Sequence, residues 1–103
     1  MSNGDDIILD HFVNDLKKKL NADSSLQNIS YLEYKHTLPR DVILYFKRAT
    51  DSVEIKLQMP GTDFDKISDS YQTNNSQKIN FIIEQYLQKL KTEYKRHDEH
   101  NEK

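Results

Sequence analysis

The stretch YKRHDEH, residues 94–100, sets His97 and His100 three positions apart with Asp98 and Glu99 between them. On a helix that spacing puts both imidazoles on one face, where two ring nitrogens can share a divalent ion. Two histidines without further ligands do not make a zinc site, and the sequence has no cysteine to add to them. His11 stands beside Asp10, but no serine or second carboxylate lies at the spacing of a catalytic triad. His36 falls on the apolar side of a strand, as a histidine at the edge of a core does. Gly4 and Gly61 are the only glycines, which leaves no phosphate-cradling loop and no nucleophile elbow. An enzyme would require His11, His36 and a carboxylate to converge in one cleft. The expectation is a protein without catalytic residues, metal or cofactor.

Lysine and tyrosine offer a different chemistry. In an alternating reading of the strands, Tyr31, Lys35, Ile43, Tyr45, Lys47 and Lys56 share one face with Glu33 and Glu54. Exposed rings with lysine stems around them suit a protein partner, the ring as anchor and the stems as apolar rim. Rings that stack on bases and ammonium groups that meet phosphates also suit single-stranded nucleic acid. Glu33 and Glu54 count against phosphate on that face. Tyr31, Lys35, Tyr45, Lys47 and Lys56 are therefore the expected partner-binding residues. The alternative is a small nucleic-acid-binding regulator that uses Lys35, Arg40, Lys47 and Arg48 together with the basic last helix. A third possibility is a solvated sheet face with no ligand.

Composition bounds these readings. At 103 residues the chain has room for one core, and 35% hydrophobic against 31% charged residues suits a small globule. The net charge of −2 argues against a protein that simply coats nucleic acid, though basic and acidic blocks alternate along the chain. No apolar run is long enough to span a bilayer, and the N-terminus lacks the basic start of a signal peptide. The expected location is the cytoplasm. Abundant Lys, Asn and Ile with scarce Ala and Gly fit an AT-rich genome such as that of a bacterial mobile element.

The elements that must position these residues are legible in the periodicity. DDIILDHFVNDLKKKLNAD recurs at helical spacing through Ile8, Leu9, Phe12, Val13, Leu16 and Leu20, with Lys17, Lys18 and Lys19 where the helix dipole favours cations. SSLQN offers one helical turn. ISYLEYKHTL alternates, with Leu32, Tyr34, His36 and Leu38 to one side and Tyr31, Glu33, Lys35 and Thr37 to the other. Pro39 begins a turn, VILYFKR forms a second strand, and ATDS joins it to VEIKLQM, where Val53, Ile55, Leu57 and Met59 alternate with polar residues. Pro60 and Gly61 match a type II turn, and Thr62 with Asp65 matches a capping box for a short helix. QKINFIIEQYLQKLKTEYKRH is a long amphipathic helix whose stripe runs from Ile79 to Tyr94.

The fold class expected is α+β: a helix, a three-stranded antiparallel meander, a short helix and a long C-terminal helix, with the helices on one sheet face. Residues 1–4 are expected to be disordered, 5–97 to form one domain, and 98–103 to be a polar tail. Tyr86, Leu90 and Tyr94 extend the last stripe beyond what three strands cover, so either a homodimer pairs there or the first helix covers it.

Overall fold

The computed structural model describes residues 3–37 and 40–101. The first amphipathic segment forms α1, Asn3–Ala22, with Asp5 and Asp6 in its first turn and Lys19 in its last, both favourable to the helix dipole. Leu9, Phe12, Val13, Leu16 and Leu20 are buried and Ile8 packs against them, while Ile7 is exposed. The helix starts inside the segment expected to be disordered; Met1 and Ser2 lie outside the described residues. Asp23 follows, and its carboxylate accepts from the Ser25 N–H at 3.0 Å and the Ser25 hydroxyl at 2.7 Å. That cap opens a single 3-10 turn, Ser24–Leu26, which buries Leu26.

Three strands follow: β1, Ile29–Thr37; β2, Asp41–Arg48; and β3, Glu54–Met59. They pair antiparallel in the order β1-β2-β3, the expected meander. The turn expected at Leu38 and Pro39 lies outside the described residues. Alternation sends Val42, Leu44, Phe46, Leu57 and Met59 into the core, with Val53 and Ile55 half-buried beside them. The β2–β3 loop closes as Ser52 N–H donates to the Arg48 carbonyl at 2.8 Å and Arg48 N–H to Val53 at 3.0 Å. Ser52 takes a left-handed backbone, φ 62, to do so.

β1 departs from the simple alternation. Tyr31 pairs with Phe46 and Glu33 with Tyr45, which makes Leu32 the extra residue of a β-bulge. The alternation slips by one there. Tyr31 turns to the core side, its ring edge-on to Phe46 at 5.7 Å, and Leu32, expected inside, is 45% exposed. Beyond the bulge Tyr34 and His36 lie on the core side and Glu33 and Lys35 on the other, as the sequence implies.

Two expectations at the β3 exit also fail. Pro60 is the N-cap of α2, Gly61–Gln72, and Gly61 enters the helix without the positive φ that a type II turn requires there. The capping box does not form either: the first N–H of the helix, at Gly61, donates to the Asp41 carboxylate at 3.3 Å, and Asp65 accepts from Arg40 at 2.7 Å. Glycine suits position 61 because a Cβ there would lie 3.2 Å from Arg40 Cβ and 3.4 Å from its carbonyl oxygen. After Asn74, at φ 52, the Asn75 side chain accepts from Lys78 N–H and begins α3, Ser76–Asn101.

All three helices cover one face of the sheet, α1 against β1, α2 against β2 and α3 against β3, and each also packs on the other two. Ile79, Ile82, Ile83, Tyr86, Leu87, Leu90 and Tyr94 are all buried within the one chain. The wide stripe is consumed internally, which removes the reason for expecting a homodimer through α3. That helix also continues past His97 to Asn101, through residues expected to be a polar tail. No helix among the described residues is long and apolar enough to cross a membrane.

Candidate functional site

With the helices on one side, the opposite side of the sheet carries no covering element among the described residues. Strand register fixes what it displays. Asp41, Ile43, Tyr45 and Lys47 of β2 point away from the core. Lys35 and Gln58 flank Ile43, Glu33 and Lys56 flank Tyr45, and Ser30 and Glu54 flank Lys47. The bulge leaves Leu32 beside Glu33 on the solvent side. Ile43 and Tyr45 are half-buried by these strand neighbours.

Tyr45 is the centre of this surface. Lys35 Nζ lies 5.2 Å and Lys56 Nζ 5.8 Å from its ring centroid, contacts that contribute on the order of 0.5–1 kcal/mol each at an exposed site. Its hydroxyl has no hydrogen-bond partner among the described residues. Around it the charges balance: Lys35, Lys47 and Lys56 against Glu33, Asp41 and Glu54. Lys35 and Glu33 stand 3.9 Å apart, and Asp41 accepts from the Gln58 side chain at 2.8 Å.

The tyrosines on the covered side are used differently. Tyr34 donates to Asp10 at 3.0 Å, Tyr71 to Asp15 at 2.6 Å, Tyr86 to Asp63 at 2.6 Å and Tyr94 to the Val53 carbonyl at 2.9 Å. Each bond ties two elements together. Burial pushes the Tyr34, Tyr71 and Tyr86 phenols well above their ordinary range, and the aspartate that each one faces adds to it. Burial also raises Tyr31 and Tyr94 to about 12. The hydroxyls of Tyr34, Tyr71, Tyr86 and Tyr94 are structural, which sets Tyr45 on the open face apart from them.

Of the expected partner-binding residues, Lys35, Tyr45, Lys47 and Lys56 gather on the open face. Tyr31 is the correction, since the bulge carries it to the other side. The four expected nucleic-acid contacts are not brought together. Lys35 and Lys47 lie on the open face, while Arg40 pairs with Asp65 beside α2. Arg48 lies toward the helices, its side chain 16% exposed and stacked on Tyr94 at 4.7 Å. It donates two hydrogen bonds to Asp51 and two to Asp98, at 2.8–3.1 Å. Those bonds raise the guanidinium pKa and hold both carboxyls below the usual carboxylate range.

An open groove of about 710 Å³ between the 3-10 turn, the β2–β3 loop and the end of α3 is lined by Arg48, Lys91 and Tyr94. Lys91 faces Asp23 at 2.9 Å, and that hydrogen bond lowers the Asp23 carboxyl, so these two cations already have carboxylate partners. His11 stacks on Tyr71 of α2, with ring centroids 5.9 Å apart, whereas His36 meets Asp6 of α1 at 2.9 Å. No hydrogen bond, ion pair or ring contact joins the two histidines. No group of three or more His, Cys, Asp or Glu among the described residues can hold a metal ion.

Sequence reasoning missed Leu32 as part of the open face and the Arg48–Asp98 pair altogether. A strand of unbroken alternation carries no local mark of a bulge, and fifty positions separate Arg48 from Asp98. Comparisons with protein-family models, curated proteins and solved structures found no significant match.

Proposed function

We propose that this chain is a non-catalytic interaction protein that docks another protein through the open face of its sheet. The observation that carries the reading is the placement of Tyr45 and Ile43 on a face that no element among the described residues covers. Rigid aromatic anchors ringed by polar and charged groups are what protein interfaces use at their energetic centre. Tyr45 also keeps its hydroxyl available, and Leu32 extends the apolar area. Equal numbers of lysines and carboxylates favour a protein surface over a polyanion, which draws its affinity from a net positive field. The nucleic-acid reading gains less, because Arg40 and Arg48 are paired with aspartates and stand apart from Lys35 and Lys47.

A photo-crosslinking aromatic at position 45, with the same group at position 81 on α3 as the control, tests this reading in a lysate of the source cell. The expected result is a discrete protein adduct from position 45 that position 81 does not give and that Lys47→Glu abolishes. Adducts with nucleic acid, none, or the same products from both positions would overturn it.

A further inference from the structure

We infer that the open sheet face is complementary to itself, so that a second copy of this chain is the protein it docks. This deepens the proposal above and rests on its choice of surface. A two-fold interface requires that wherever one residue meets another, the reverse contact is also made. Two copies can be laid face to face with the two-fold axis between them, at right angles to the strands and level with the midpoint of Ile43 and Tyr45. Each strand then opposes its own copy, antiparallel, at the roughly 10 Å spacing of packed sheets.

In that arrangement the row Lys35–Ile43–Gln58 faces the row Glu33–Tyr45–Lys56 of the second copy. Lys35 meets Glu33, Ile43 meets Tyr45, and Asp41 meets Lys47, each contact occurring twice. Leu32, beside Glu33, adds apolar surface next to Ile43 of the second copy. The charges also favour this choice over an axis along the strands. That axis would pair Glu33 with Lys56 but stack Lys47 on Lys47 and Asp41 on Asp41, like charges directly opposed. The first register makes opposite-charge contacts without that repulsion.

The size of the face sets the strength. Three strands by four outward rows span roughly 14 Å by 24 Å, on the order of 300 Å² in projection. A standard stable interface buries about 800 Å² per partner. The dimer is therefore weak and reversible, populated at high micromolar concentration and above, and open to displacement by a heterologous protein.

Sedimentation equilibrium of the full chain from low micromolar to millimolar concentration tests the inference. Wild type is expected to dimerise reversibly, and Tyr45→Ala to stay monomeric. Glu33→Lys and Lys35→Glu each place like charges in opposition and are expected to weaken association by about tenfold or more. An equimolar mixture of those two variants is expected to associate again, because each now carries what the other lacks. Phe81→Ser, on exposed α3 surface, is expected to change nothing. A monomeric wild type at millimolar concentration overturns the inference, as does failure of the mixture to recover or loss of the dimer in Phe81→Ser. If the wild type is monomeric yet position 45 still crosslinks to a different protein, self-association is wrong while the docking face stands. Loss of both removes the surface itself.

Discussion

The two sides of the sheet share strands and differ in fate. On the covered side Leu44, Phe46 and Met59 are wholly shut from solvent and Leu57 nearly so, sealed by three helices. On the open side Ile43 and Tyr45 alternate with those residues along β2 and receive shelter from neighbouring side chains alone. Burial on the first side is complete at its centre, and those apolar residues stabilise the fold. The second side holds apolar residues that the fold does not finish burying, and such residues are informative about binding. The contrast teaches that adjacent positions on one strand can serve different ends, stability at Phe46 and, as proposed, recognition at Tyr45.

That division can be broken most directly at positions 45 and 46. Phe46→Ala, which leaves a cavity under the helices, is expected to lower the free energy of unfolding by about 3–5 kcal/mol in a denaturant titration. Tyr45→Ala is expected to change it by less than about 1 kcal/mol while removing self-association. Comparable losses at the two positions would erase the distinction.

The covered side has polar ties as well. Tyr86→Phe keeps the ring and deletes the bond to Asp63, with an expected loss of about 1.5 kcal/mol in the same titration and no effect on dimerisation. The raised phenols also predict an alkaline limit. Because folded Tyr31 and Tyr94 ionise at about 12, above the ordinary value of about 10, their contribution is complete below pH 10 and is lost as pH rises towards 12. Tyr34, Tyr71 and Tyr86 shift in the same direction, so phenolate absorbance is expected to appear together with loss of helical circular dichroism.

At acid pH the sign reverses. Asp51 and Asp98, held low by Arg48, stabilise the fold above the usual carboxylate value and cease to do so as pH falls through their depressed values. Arg48→Gln is expected to flatten this acid limb of the thermal stability profile. The smallest effect belongs to the loop, which lies on neither face. Ser52→Gly relieves a left-handed backbone and is expected to add about 0.5 kcal/mol while leaving association untouched.

Much of this was readable in advance. Alternation from Val53 to Met59 and the three- and four-residue spacing in α1 and α3 identified the buried residues, because periodic burial depends only on the local repeat of each element. Lys35, Tyr45, Lys47 and Lys56 followed from the same rule. Tyr31 did not. Tyr31, Glu33 and Lys35 alternate as smoothly as Leu32, Tyr34 and His36, and no glycine marks the bulge that separates Tyr31 from the others.

What the sequence determined by itself is therefore the set of elements and the phase of the regular ones, since each residue's face follows from its neighbours in the chain. The tertiary structure decided the rest: the slip at Leu32 that seats Tyr31 against Phe46, the aspartates taken by Tyr34, Tyr71 and Tyr86, and the capture of Arg48 by Asp98. These contacts join residues far apart in the chain. They exist only once the packed core has fixed which elements stand side by side.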